Sequence, residues 1–481
     1  MTLRTGILLL LCSLLTFARL QADNGYEIRV KLVNYTENKL KLGFHYGNKQ
    51  YIRDSSVVNK DGYFVFSGKE ELAPGIYLII MQPNSTYFEM MVVRGQEHFT
   101  ISTDINNIVK GLKTKNSPEN ELYYEYLNTI AEKKEKSAKI KQEMKADSAN
   151  LTKYRDKLKI LDNEVEEYQN KLINKHPNSF TAQIIKSSRD IVVPKFEGSE
   201  EEVRNKRYFY YKEHFFDNFN MSDEKMIRTP LLFNRVDYYV NKLVIQEPDS
   251  LIEAVDRVLK LTRPVDDAFK FFCTHFLNYY AKAEYIGQDA VYVYLALNYY
   301  NKPGMTPWVD KAQIDKIVEN ARNIEPTLLG KTAMNFELQT KDNRKVSLYD
   351  IKSEYTVLVF WAPDCGHCQK EMPYVISFWE KWRLKGVELI SICNRYTPEK
   401  VGECWKFVEE RPGMKFTTGV DMYMRSNTQA NYWVKSTPMI YILDKDKKIV
   451  MKKIQAEKLE EIMNEIIEVE AARKLEQSKG K

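Results

Sequence analysis

The first hundred or so residues alternate. Tyr26 to Val33 places apolar side chains at every second position and ends at Asn34-Tyr35-Thr36, and Lys39 to Phe44 reads Lys-Leu-Lys-Leu before Gly43. Tyr63 to Phe66 follows the turn pair Asp61-Gly62, Ile76 to Met81 follows Pro74-Gly75, and Phe88 to Val93 ends at Arg94-Gly95. Short strands at turn-marked intervals predict a small β-sandwich over residues 23–112. At Ser117-Pro118-Glu119 the period changes, because a Ser cap, a Pro in the first turn and a following acid start a helix. A long charged helical stretch then runs to His176-Pro177. In it Leu151, Tyr154, Leu158, Leu161, Val165, Tyr168 and Leu172 are spaced 3, 4, 3, 4, 3, 4, an a/d stripe of three heptads. The stripe fits either a homodimer seam along residues 144–172 or packing within its own domain. Helical, aromatic-rich sequence continues, so residues 116–322 are expected to form a central all-α domain.

From Glu325-Pro326 the pattern turns α/β. Tyr355 to Trp361, a short run apolar but for Thr356, bears the mark of a strand buried on both faces, Val387 to Ile392 reads as another buried strand, and a helix between them reaches about Leu384. This βαβ unit lies in a third domain expected over 326–475. The fold class is therefore multidomain α+β, with a β-sandwich, an all-α domain and a C-terminal α/β domain.

The N-terminus adds an address. Arg4, the apolar run Ile7 to Phe17 and the small residue Ala22 describe a secretory signal peptide over residues 1–22. A lipoprotein reading at Cys12 is disfavoured by Leu11, where a small residue belongs. Hydrophobic content of 43% and aromatic content of 12% are enough for real cores and exclude a disordered chain. A net charge of +6, with both signs interspersed, leaves no nucleic-acid footprint.

Chemistry concentrates in the cysteines. Without Cys12 there remain Cys273, Cys365, Cys368, Cys393 and Cys404, too few to staple a chain of 481 residues. Cys365-Gly366-His367-Cys368 falls at the strand-to-helix turn of the βαβ unit, which reads as a thioredoxin-like redox motif. At a helix N-terminus this spacing puts both sulfurs on one face. Cys365, at the free end, meets unpaired N–H groups and the positive end of the helix dipole, which stabilise a thiolate, and Cys368 is placed to resolve a mixed disulfide. His367 adds to that stabilisation, whereas Asp364 opposes it. Zinc needs two further ligands. Cys393 and Cys404, 11 apart, match no common finger, and His176, His214 and His275 show no metal spacing. No metal and no cofactor beyond the Cys365–Cys368 disulfide is expected. Whether Cys393 and Cys404 bridge each other stays open.

Phe360-Trp361-Ala362-Pro363-Asp364-Cys365-Gly366-His367-Cys368, with Glu371-Met372-Pro373, Gly330, Ala333 to Phe336 and Ser436-Thr437-Pro438, resembles the TlpA-like (ResA-like) branch of the thioredoxin superfamily. The resemblance implies a thioredoxin fold and a cis Pro438 facing the cysteine pair, with Thr437, Pro438 and Trp361 as the peptide-binding wall. It also implies a helix kink at Pro373 and Glu371 as a candidate proton carrier. Asp364 stands where thioredoxins often carry Trp, and Val359 where they carry a buried Asp, which leaves Glu371 to serve alone. The β region resembles a module that precedes such domains in Bacteroidetes, and Phe215 to Tyr300 resembles a helical domain of unknown function from the same proteins. The implied activity is thiol–disulfide exchange with exported proteins, in the periplasm or outer cell envelope, fed by a membrane electron donor if it runs as a reductase. The Gly-His pair resembles that of the more oxidising disulfide isomerases. The competing readings are an envelope binding protein with an accessory redox site, and a thiol peroxidase. Ala362 speaks against the peroxidase, since peroxiredoxins carry Thr or Ser there.

Overall fold

A computed structural model of the chain describes residues 25–282 and 285–479, so the expected signal peptide lies outside the described residues. The chain divides into two compact units, up to Tyr238 and from Tyr239 onward.

In the first unit the strands are β1 (Tyr26–Val33), β2 (Lys39–Tyr46), β3 (Lys49–Val57), β4 (Phe64–Gly68), β5 (Gly75–Met81), β6 (Thr86–Val92), β7 (His98–Asp104) and β8 (Lys113–Lys115). They form two four-stranded sheets, ordered β4-β1-β7-β8 and β3-β2-β5-β6. β1 runs antiparallel to β4 and parallel to β7. The strands expected from alternation all form. β3 was not legible because it is an edge strand exposed along almost its whole length, with no apolar period to read. The helices are α1 (Ile108–Gly111), α2 (Pro118–Ala146), α3 (Leu151–Lys175), α4 (Phe180–Ser187), α5 (Glu200–His214) and α6 (Pro230–Tyr238). β6 is the last strand of its sheet, and its free edge is met by a side chain. Asn120 of α2 donates to the Met91 carbonyl and accepts from the Met91 amide, both at 2.7 Å. Glu119 beside it accepts from the Phe180 and Thr181 amides, which caps α4.

The charged helical stretch is a hairpin rather than one helix. It breaks at Asp147-Ser148-Ala149-Asn150, where short polar side chains compete with the backbone for hydrogen bonds. α2 covers the a/d stripe of α3: Tyr154, Leu161 and Leu172 are buried, Tyr126 stacks on Tyr168, and Lys133 pairs with Glu164. The stripe thus has a partner within its own chain. Leu161→Ala is expected to cost about 2 kcal/mol, the low end of the range for buried leucines because a two-helix hairpin relaxes easily. Sedimentation should give the same mass for variant and wild type while denaturant unfolding shifts.

The second unit opens with α7 (Pro248–Thr262), α8 (Asp266–Ala281), α9 (Asp289–Leu295) and α10 (Lys311–Ile324). The helical sequence expected as one domain over 116–322 is therefore shared between the two units. The helices have different partners. α2 docks on β6, whereas Asp289 in the first turn of α9 pairs with the buried Lys452 of the C-terminal sheet at 2.7 Å. That sheet comprises β9 (Glu337–Gln339), β10 (Lys345–Ser347), β11 (Tyr355–Trp361), β12 (Val387–Cys393), β13 (Thr417–Val420), β14 (Met439–Asp444) and β15 (Ile449–Lys452), ordered β10-β9-β13-β12-β11-β14-β15. α11 (Gly366–Trp382), α12 (Pro398–Glu409), α13 (Thr428–Asn431) and α14 (Leu459–Lys479) complete it. β11 lies inside the sheet between β12 and β14, and every one of its residues is buried, as its largely apolar run predicts. Among the described residues no helix is long and apolar enough to cross a membrane.

Candidate redox site

Strand direction assembles the site. β11 is parallel to β12 and antiparallel to β14, with Trp361 opposite Cys393 and Phe360 opposite Met439. The segments after β11, after β12 and before β14 therefore meet at one end of the sheet. They carry Cys365, Arg395 and Pro438.

Cys365 is the N-cap of α11, half-buried, and the Cys368 amide donates to its sulfur at 3.1 Å. That amide is one of the donors a helix start leaves unpaired, so it is available to a thiolate. Cys368 is 1% exposed, and the two cysteines are disulfide-bonded with a Cα–Cα separation of 5.2 Å. Cys365 Sγ lies 3.2 Å from the Thr437 carbonyl oxygen, and the Thr437–Pro438 bond is cis. Thr437 and Pro438 are both partly exposed beside that sulfur. Gly366 and His367 are exposed, and a Cβ on Gly366 would meet nothing within 4 Å, so the surface over the sulfurs is open.

The structure moves Trp361 from its expected place and gives Glu371 and Asp364 partners. Trp361 is no part of a peptide-binding wall. It is fully buried and its ring lies 4.5 Å from that of Phe407, because at the end of β11 it points to the same side as Val357 and Val359, into the core under α11. Glu371 stands three residues beyond Cys368 on the same helix, and its Oε2 accepts the Ala456 amide at 2.8 Å, which ties it to the turn before α14. Asp364 is exposed but not alone: it pairs with Arg395, whose guanidinium also bonds Glu403 at 3.1 Å. Burial pulls the Arg395 pKa down, but the hydrogen bonds to Glu403 and Asp364 outweigh it and hold it above the ordinary arginine value. Sequence reasoning missed Arg395. The available signal was its place just past the second buried strand, at the same sheet end as the Cys pair.

Pro373 lies inside α11, where it removes a helix hydrogen bond, and Val359 is a fully buried core residue. Cys393 and Cys404 are disulfide-bonded, both fully buried, with Cα atoms 6.3 Å apart. Cys273 is a free buried thiol that burial pushes up to about 12, which leaves it unreactive.

Residues 329–452 match the AhpC/TSA family, residues 163–323 a domain of unknown function (DUF5106) and residues 26–123 another (DUF4369). Over 126 residues the chain is 33% identical to the thiol-disulfide oxidoreductase ResA of Bacillus thuringiensis (strain Al Hakam), an overlap of 26% of this chain and 69% of that protein. The chain belongs to the ResA-like family of thiol–disulfide oxidoreductases. ResA of Bacillus anthracis matches to the same extent, 33% over 126 residues. Among solved structures, a domain of a possible thiol-disulfide isomerase from Cytophaga hutchinsonii is 30% identical, covering 30% of this chain and 97% of that one, with a TM-score of 0.28. A thioredoxin-like protein from Bacteroides caccae is 18% identical, covering 57% and 98%, with a TM-score of 0.42. As a ResA-like oxidoreductase the chain is an enzyme with a C-terminal thioredoxin-like domain and additional N-terminal β and helical regions.

Proposed function

We propose that this oxidoreductase is exported and exchanges disulfides with proteins of the cell envelope through Cys365 and Cys368. The observation that carries the reading is the asymmetry of the pair: one sulfur is accessible, held by a helix-end amide and set against Thr437-Pro438, and the other is buried behind it. In the reducing direction the Cys365 thiolate attacks a partner disulfide. One partner sulfur leaves as a thiolate and takes up a proton. Cys368 loses its proton, attacks Cys365 Sγ in the mixed disulfide and expels the second partner sulfur. The partner gains two electrons and the enzyme ends as the Cys365–Cys368 disulfide. A membrane electron donor is the proposed source of the electrons that return it to the dithiol. Arg4, the run Ile7 to Phe17 and Ala22 support export. Thr437 and Pro438 are the proposed peptide contacts, and His367 and Asp364 the groups that tune the thiolate.

The test is insulin reduction by the full chain with dithiothreitol as the source of electrons. Precipitation of the insulin B chain should come at least several-fold earlier than with dithiothreitol alone. An unchanged onset leaves the binding-protein reading.

A further inference from the structure

Asp364 sets a problem. A carboxylate immediately before the nucleophilic cysteine disfavours the thiolate on which exchange depends. The structure answers it with a cation. Arg395 reaches Asp364 from the loop after β12 with its side chain 18% exposed, whereas Asp364 is 74% exposed. The cation is therefore the ordered member of the pair. It is held twice: Glu403 bonds its Nε at 3.1 Å, and its Nη1 donates to the Asn394 carbonyl at 3.0 Å. Both holding segments are fastened to each other, because Arg395 lies two residues after Cys393, Glu403 lies one before Cys404, and Cys393 and Cys404 form the buried disulfide.

We infer that Arg395 is a positioning residue of the redox site: clamped by Glu403 and the Cys393–Cys404 disulfide, it holds the Asp364 carboxylate and cancels its charge beside the Cys365 thiolate. The inference rests on Cys365 being the nucleophile. It gives the second disulfide a task that needs no turnover of its own, which suits a bond with no exposed atoms to offer a reductant.

Other charged groups lie on the segments that carry the site. His367, Lys370 and Glu371 follow it on α11, with Glu371 engaged by the Ala456 amide. Lys435, ahead of the cis proline, lies over the Trp433 ring at 3.6 Å. None of them pairs with Asp364 among the described ion pairs.

The test is the pH profile of Cys365 alkylation by iodoacetamide in the reduced full chain, in a Cys368→Ala background. Arg395→Met leaves an uncompensated carboxylate, so the midpoint should rise by about one pH unit and alkylation well below the midpoint should slow about tenfold. Asp364→Asn removes the carboxylate beside the thiol and leaves Arg395 with Glu403 alone, so the midpoint should fall. The double variant should return close to the starting profile. Cys393→Ser/Cys404→Ser should move the midpoint the same way as Arg395→Met but less. Opposite shifts that cancel are not produced by a merely structural arginine. If Arg395→Met and Asp364→Asn shift the midpoint in the same direction, or neither moves it, the inference is overturned. Insulin reduction by the wild type, measured on the same preparation, reports separately on the proposed function.

Discussion

Cys365→Ser is expected to abolish disulfide exchange, and Cys368→Ser to turn the enzyme into a trap for its partners. The two sulfurs differ in access and in environment. Cys365 is half-buried, caps α11 and accepts the Cys368 amide, so a thiolate there is both reachable and stabilised. Cys368 is 1% exposed within the cluster formed by Trp361, Met372 and Val375, where no partner disulfide can approach in line. Loss of Cys365 removes the first covalent step, so the whole several-fold acceleration of insulin reduction should disappear, leaving the rate of dithiothreitol alone. Loss of Cys368 leaves that step intact and removes the second, so mixed disulfides should accumulate. They should be visible as dithiothreitol-sensitive bands above the free enzyme in envelope fractions of cells producing the variant. Bands of equal strength with Cys365→Ser would falsify the assignment of roles.

How much of this was legible in the sequence follows from how local each feature is. β11 and β12 announce themselves because strands buried on both faces must be largely apolar, with only Thr356 breaking the run in β11 and Glu388 and Ser391 in β12, and a Cys pair three apart at the turn after β11 needs no distant information. The neighbourhood of Thr437-Pro438 came only through the family resemblance. Nothing in residues 437–438 by themselves says that β14 runs antiparallel to β11 and delivers them to the same sheet end. Trp361 was misplaced although parity along β11 assigns it to the side of Val357 and Val359, which is core. The break at Asp147 to Asn150 was hidden because the a/d stripe of α3 is read equally well as a seam or as one face of a hairpin, and only the position of α2 decides. Arg395 was invisible for a different reason. Its role requires three segments, 364, 395 and 403, to converge, and each alone is an ordinary surface charge.

That convergence bears on the redox potential. The Cys365–Cys368 couple is expected to be more oxidising than thioredoxin, within the interval from about −270 mV for thioredoxin to about −180 mV for disulfide isomerase. Whatever stabilises the reduced form raises the potential, and the helix end, the Cys368 amide and His367 all favour the Cys365 thiolate. Read from sequence alone, Asp364 works against them. With Arg395 bonded to it the Asp364 carboxylate is partly offset, so the opposing contribution shrinks and the three favourable ones remain. His367 is exposed, so solvent screens its effect, and His367→Pro should lower the potential by only roughly 30 mV, a factor of about ten in the equilibrium with glutathione. Asp364→Trp should raise it, because it removes the carboxylate next to Cys365 while Arg395 stays in place on Glu403. Equilibration of the full chain with glutathione redox buffers, read by alkylation and mass shift, gives all three potentials. A wild-type value as low as thioredoxin's would mean that the helix end and His367 do not outweigh the surrounding charge, and would assign the enzyme to dedicated reduction rather than to isomerase-like exchange.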